Sequence, residues 1–320
     1  MCKDKICDKS KMDDIFGALQ QKQMNKTPYE KQQMIKSKIE NWANESFVPE
    51  ISDGYVLEQK KLKYPDLLDQ YERKGHQFFD HDFPTNSKSI IGFGEDPSLP
   101  NHVVNKMKWE RPANFFNGEK FQIFDHDISP NDIQQGYLGD CYLLSAIAAI
   151  AEHPYRIKQL FLVREVNKPG IYSVALFIYG NWEEVILDDQ FPCQANGEIA
   201  FNKTKTNDLW VMLLEKAYAK VHGGYGNISA GLTKEALRDL TGAPAHSIST
   251  RVTAKVTLDS HWENILQGEE NDFIMSASSM DLIGNGSDAQ DQRTGLAGSH
   301  AYALLAAFEL INDRGSIRLR

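Results

Sequence analysis

Long hydrophobic runs are absent from this sequence. The longest, Cys141 to Ala151 and Ala301 to Phe308, fall short of the ~18 residues that span a bilayer. The start of the chain (Met1, Cys2, Lys3, Asp4, Lys5) has no apolar core of the kind a secretory signal needs. Cysteine is scarce, with four residues in 320. That is too few for a disulfide framework and points to a reducing, cytoplasmic compartment. Cys2 and Cys7 lie on a polar arm, and position 2 is not the glycine that myristoylation requires, so they read as exposed thiols. Basic charge is not in excess: 35 Lys and Arg face 44 Asp and Glu, for a net charge of −9 with no charged tail. This balance counts against a nucleic-acid partner. Also missing are an EF-hand loop, an H-E-x-x-H helix, paired C-x-x-C motifs, repeats and long low-complexity segments.

What is present reads as a soluble globular chain, 41% hydrophobic and 25% charged. Residues 1 to about 60 carry Ile15, Leu19, Met34, Ile35, Ile39 and Trp42 at roughly helical spacing, which suggests a partly helical arm. Tyr64 to Gly75 reads as a short amphipathic helix with Leu67, Leu68 and Tyr71 on one face. Phe78 to Pro100 reads as an irregular lead-in. Asp140 to Glu152 reads as a buried helix. Gly170 to Gly180 and Glu183 to Leu187 form a hairpin pattern with Asn181 at the turn. Asn207 to Val221 is a strong helix, which Asn207 or Asp208 can cap and Gly223-Gly224 can end. Thr233 to Leu240 is a further helix, closed by Gly242. After Ala243 the texture is β-like, with Ser299 to Glu309 and Ser316 to Leu319 as strands. A helical half followed by a β half predicts an α+β fold with a cleft between two lobes.

The chemistry concentrates in Gln135-Gly136-Tyr137-Leu138-Gly139-Asp140-Cys141-Tyr142. A cysteine opens a helix directly after a glycine-bearing turn. The unpaired N–H groups and the dipole at a helix start favour negative charge, so a thiol there ionises more easily. Gln135, six residues upstream, can offer its amide N–H beside the Cys141 backbone N–H as a two-donor oxyanion hole. Read alone, Cys141 fits a small buried thiol as well, as Cys193 does. A thiolate also needs a base. His300 follows the small-residue loop Gly295-Leu296-Ala297-Gly298-Ser299 and opens an apolar strand. A Cys early and a His late is the order of papain-like enzymes.

Taken together, these stretches resemble the calpain family of thiol proteases. Gln135 to Leu144 is similar to its active-site signature, with Tyr142 where Trp is common. Trp109-x-Arg111-Pro112, Leu213-Leu214-Glu215-Lys216-Ala217-Tyr218-Ala219-Lys220, Thr241-Gly242 and Gly298-Ser299-His300-Ala301-Tyr302 follow in order. With weaker similarity from Tyr64 onward, the resemblance covers about 250 of the 320 residues. It implies a papain-like, two-lobed α+β core. Residues 1–75 are an N-terminal extension, 76–242 a complete helical first lobe carrying the nucleophile, and 243–320 an incomplete β second lobe. It implies a calcium-dependent endopeptidase that acts on protein substrates by limited intracellular proteolysis. Cys141 is then the nucleophile, His300 the base and acid, and Gln135 the oxyanion donor. Gly231 and Ser299 face the substrate backbone, with Ser299 where a glycine is usual. Asp132 and Asp208, with backbone carbonyls near Asp125 and Asp127, resemble calcium ligands. The family's triad Asn, in R-N-P-W-G, would follow Arg320. Two readings stand at this point: a protease of this lineage, or a calcium- or protein-binding module impaired in catalysis. The resemblance identifies no regulatory partner.

Overall fold

The computed structural model describes residues 61–93, 99, 101–124, 128–250, 257–280, 295–312 and 315–319. The arm predicted for residues 1 to 60 lies outside them, as do Asp125, Asp127 and Arg320. Two units are distinguished. The larger holds everything described below up to Ala307.

The lead-in begins with α1 (Tyr64–Lys74), closed by Gly75 in the left-handed conformation that glycine adopts cheaply. Leu67, Leu68 and Tyr71 are its half-buried face. The segment expected to be irregular contains a short helix, α2 (Ser87–Ile91), because the Asn86 side chain accepts from the Lys88 amide and caps it. After α3 (Asn101–Val104) comes β1 (Lys108–Glu110), then α4 (Pro112–Phe115) with its proline in the first turn. A 3-10 turn (Pro130–Asp132) leads into the two-residue β2 (Ile133–Gln134).

The centre of the unit is α5 (Cys141–Ala151), apolar all round and buried at Tyr142 to Ile147 and at Ala149 to Ala151. Leu143, Ala146 and Ile147 are fully enclosed. A helix with no polar face is stable only when surrounded. Its neighbours are α6 (Pro154–Leu160), a later helix, and two strands near the end of the unit. The hairpin of β3 (Ile171–Ile178) and β4 (Asn181–Asp188) is antiparallel in the register Ile171↔Asp188 to Ile178↔Asn181. Its turn is Tyr179-Gly180 rather than Asn181. Both residues have positive φ (51° and 83°), as the two-residue turn matching strand twist requires, and Asn181 already pairs in the ladder.

β5 (Phe191–Cys193) pairs with β1, and β6 (Lys203–Thr204) pairs with β2. Next comes α7 (Trp210–His222), buried from Trp210 to Ala219 and ended by left-handed Gly223. Neither Asn207 nor Asp208 caps it; Leu209 occupies the cap position. Asn207 instead donates to Glu119 at 2.9 Å, and the Asp208 carboxylate accepts from the Thr206 hydroxyl at 2.8 Å. A parallel bridge between Gln122 and Asp208 holds that segment instead. A 3-10 turn (Tyr225–Ile228) precedes α8 (Thr233–Thr241), closed by Gly242 at φ 68°.

The stretch after Ala243 is not purely β. It contains α9 (Leu258–Glu270), thirteen residues long. Thr257 and Ser260 form a reciprocal capping box at its start, and Trp262, Ile265 and Leu266 recur at helical spacing. These signals outweigh the serine-rich texture around them. β7 (Met275–Ser278) pairs with β8 (Ala301–Leu304) in antiparallel register, and both strands pack on α5. The strand expected from Ser299 to Glu309 is therefore broken at Leu305–Ala307. In the smaller unit, β9 (Phe308–Asn312) pairs with β10 (Gly315–Leu319).

A dry ion pair ties the unit together. Lys216 on α7 is wholly buried and gives its three protons to Asp188 Oδ1 at 2.5 Å, Asp188 O at 2.9 Å and Gln190 O at 2.6 Å. Its ammonium also lies over the rings of Phe191 and Trp109. Burial alone would raise the Asp188 pKa. The Lys216 charge and the amides of Asp80 and Gln190 more than reverse this and hold it below the ordinary carboxylate value. One turn along, Lys220 binds both oxygens of Asp80 and the Ile186 carbonyl. Arg111 pairs with Asp189 and donates to the Phe78 carbonyl at 2.7 Å.

Lys216→Met would leave Asp188 charged, buried and short of a partner. The expected loss is about 3–5 kcal/mol in urea unfolding, and Lys216→Met combined with Asp188→Leu should recover part of it. Because Asp188 is depressed in the fold, its contribution is present at neutral pH and lost on acidification, so the gap between wild type and Lys216→Met should narrow at acid pH.

Candidate active site

Cys141 is the first residue of α5 and is half-buried, whereas Cys193 is enclosed in the core. Burial pushes the Cys193 thiol up to about 12, with the Glu110 charge adding to it, so Cys193 stays protonated and inert as expected. The turn before Cys141 is held from outside. The Gly136 amide donates to Asn202 Oδ1 at 3.0 Å, and the Tyr137 amide donates to the Ala200 carbonyl at 3.0 Å. A Cβ on Gly136 would lie 2.4 Å from the carbonyl of Phe201, so only glycine permits this approach. The Gln135 side chain is not extended away from the turn. Its Nε2 donates to the Leu138 carbonyl at 2.8 Å, which fixes the amide on the nucleophile's own turn and commits one of its two N–H groups.

Gly231 adjoins the same place. The Ala230 amide donates to the Gly139 carbonyl at 2.9 Å, and a Cβ on Gly231 would lie 2.5 Å from the Tyr142 ring. Gly231 is exposed, so its backbone is open beside the turn. The Tyr142 ring supports it, and nearby Tyr218 donates to Asp239 at 3.2 Å. Burial pushes both tyrosines well above the ordinary value, so they stay neutral.

His300 is half-buried and immediately precedes β8, the strand packed on α5. Its amide donates to Ser279 Oγ at 3.1 Å and its carbonyl accepts from the Ser279 amide at 2.9 Å. The imidazole meets the Tyr302 ring edge-on, with centroids 4.9 Å apart. Ser299 has φ 48°, the left-handed region where glycine is cheapest, which is the physical sense of the glycine usual at that position.

The β2–β6 pairing brings Asp132 and the Thr204–Asp208 segment together, and the Lys205 amide donates to the Asp132 carbonyl at 2.9 Å. Asp132 is half-buried and Asp208 buried. Two carboxylates with neighbouring carbonyls match in kind the hard oxygen donors calcium takes. Among the described residues, no group of three or more His, Cys, Asp or Glu is placed to hold a metal.

The sequence reading passed over the most buried polar residues of the site. Asn202 is fully enclosed, donates from Nδ2 to Asp140 Oδ2 at 2.5 Å, and gives its backbone N–H to Glu215 Oε2 at 3.1 Å. The available signal was Glu215-Lys216, an adjacent charged pair inside an apolar helix, since buried charges need dedicated partners.

The model of the calpain family cysteine proteases matches residues 78–320. The chain belongs to the calpain family. A calpain-type cysteine protease of Arabidopsis thaliana, DEK1, is 37% identical over 250 residues, covering 76% of this chain and 11% of the plant protein. Calpain clp-4 of Caenorhabditis elegans is 31% identical over 271 residues, covering 75% of this chain and 37% of the worm protein. Calpain-A of Drosophila melanogaster is 31% identical over 270 residues, covering 80% of this chain and 31% of the fly protein. The chain thus spans between about a tenth and somewhat over a third of these relatives. It shares the lineage of the calpain-type cysteine proteases and has an α+β core of helices and small sheets.

In this calpain core the contact of Gly231 with Tyr142 is testable as a pair. Gly231→Ala alone should cost about 1–3 kcal/mol through the forced overlap. In a Tyr142→Leu background it should cost distinctly less, a coupling of about 1 kcal/mol or more in urea unfolding. Equal costs in both backgrounds would mean that the ring is not what Gly231 accommodates.

Proposed function

We propose that this chain is the catalytic core of a calcium-dependent cysteine endopeptidase that performs limited proteolysis of cytoplasmic proteins. The carrying observation is the placement of a half-buried thiol at the start of an apolar helix, with Gln135 fixed on the same turn and the strand after His300 packed on that helix. In this reading residues 76–242 form the first, nucleophile-bearing lobe of a papain-like pair. Residues 243–320 belong to the second, and 1–75 form an extension. Extended substrate lies along Gly231 and Ser299.

The Cys141 thiolate attacks the scissile carbonyl carbon. The developing oxyanion is met by the Cys141 amide and the Gln135 side chain. His300 protonates the leaving amine, leaving a thioester on Cys141. His300 then takes a proton from water, which attacks the thioester and releases the acid and the thiol. Asp132 and Asp208 would hold calcium. When bound, the ion supplies positive charge that draws acidic segments together, which ties assembly of the site to calcium supply.

Peptidase activity on an unstructured protein substrate should appear on calcium addition and fall by at least about 10³-fold in Cys141→Ala. The assay is run on this chain and on one extended beyond Arg320; calcium-independent cleavage, or cleavage that persists in Cys141→Ala, would sink the reading. Calcium should also raise the thermal midpoint of the wild type, by mass action on the folded state. The rise should vanish in Asp132→Asn with Asp208→Asn, a readout that needs no turnover.

A further inference from the structure

Three buried polar side chains behind the nucleophile have no role in the chemistry above. Asp140, which precedes Cys141, and Glu215, in the middle of α7, are fully enclosed. One oxygen of each is bound by Asn202, the Asp140 oxygen by its side-chain amide and the Glu215 oxygen by its backbone amide. The other oxygens, Asp140 Oδ1 and Glu215 Oε1, are buried and meet no N–H or hydroxyl donor among the described residues. Two carboxylates buried on one asparagine, each with an oxygen that no donor meets, repel each other; a proton on one relieves the repulsion and supplies a donor. Asn202 uses its remaining acceptor, Oδ1, on the Gly136 amide.

We propose that Asn202, Asp140 and Glu215 act as one positioning unit, in which a single proton held between the carboxyls locks the Gln135–Cys141 turn onto α7 and keeps a second negative charge away from the Cys141 thiolate. The idea rests on the protease reading of Cys141, but its geometry does not. Burial, the largest effect, pushes Asp140 up to about 7 against the lowering hydrogen bond from Asn202, and raises Glu215 well above the usual carboxylate range. The other groups facing the pair are Tyr142 and Tyr225, both raised by burial and neutral. The nearby Asp188–Lys216 pair is already satisfied by its own hydrogen bonds. A carboxyl raised in the fold stabilises it at acid pH and loses that contribution as pH rises through its folded value, here about 7 for Asp140.

The test follows alkylation of Cys141 by iodoacetamide against pH, read on the Cys141 peptide by mass spectrometry, in which the thiolate displaces iodide. Asn202→Ala and Glu215→Ala should slow the reaction near neutral pH by about tenfold or more and move its pH profile, as misplacing an oriented group does. Glu215→Gln, which donates permanently to Asp140, should restore the rate. It should also remove the loss of thermal stability expected of the wild type between about pH 6 and about pH 8. A folded Asn202→Ala protein that reacts like the wild type overturns the proposal, as does a Glu215→Gln protein that behaves like Glu215→Ala. If Asn202→Ala does not fold, the Glu215 pair of variants decides. Exchange of the Gly136 amide is followed in parallel. It should be protected in wild type and Glu215→Gln and exposed where the unit is broken, and protection retained in the broken variants overturns the proposal. Should wild-type Cys141 react no faster than an unfolded thiol, the protease reading fails, while the Gly136 amide still reports on the unit.

Discussion

Lys216 and Asp188 meet where no water reaches either, and the arrangement around them follows from that. A buried ammonium is tolerable only if each of its protons finds an oxygen, and here all three do. The oxygens come from the corner between β4 and β5, which fixes that corner against α7. Asp188 in turn accepts from the Asp80 and Gln190 amides, which fixes the lead-in as well. Lys220 and Arg111 repeat the arrangement on either side. The neighbouring residue, Glu215, leaves α7 in a different direction, toward the turn that precedes Cys141. One helix therefore orients a structural charge and a site charge with two adjacent residues.

The surroundings of Cys141 depend on close approach as much as on charge. Gly136 abuts the Phe201 backbone, Gly139 comes near Ser229, and Gly231 rests on the Tyr142 ring. A side chain at Gly136 or Gly231 would have to displace backbone or a buried ring. The hydrogen bonds of Asn202, Tyr137 and Ala230 then convert proximity into a fixed path for the chain. The helix start, the turn and the glycine shelf are thus one assembly, and the thiol inherits its environment from all three.

Much of this was legible in the sequence because it is local. The apolar run after Cys141, the alternation on either side of Tyr179-Gly180, and the glycines after His222 and Thr241 each follow from a few neighbouring residues. What escaped depends on distant partners. Asp208 looks like a helix cap until its bridge to Gln122 is seen, 86 positions earlier in the chain. Asn202 has no local feature, since its significance comes from Gly136, Asp140 and Glu215 at once. The helix at Leu258–Glu270 is a different case: its capping box is local, but the serine-rich texture around it points to strand and loop.

The dry pair also bears on when the site comes into being. Asp80 accepts from Lys220, 140 positions later, and donates to Asp188, 108 positions later. Contacts of such separation close only after the intervening chain has been made and ordered. During synthesis the chain emerges from its N-terminal end, at about 5–20 residues each second. Cys141 therefore leaves the ribosome well before the helix that carries Glu215 and Lys216. Until that helix arrives, the thiol sits in a nascent segment with nothing to brace the turn before it. The wiring of α7 thus acts as a clock: a ribosome-bound chain passes through a period in which its nucleophile exists but its site does not.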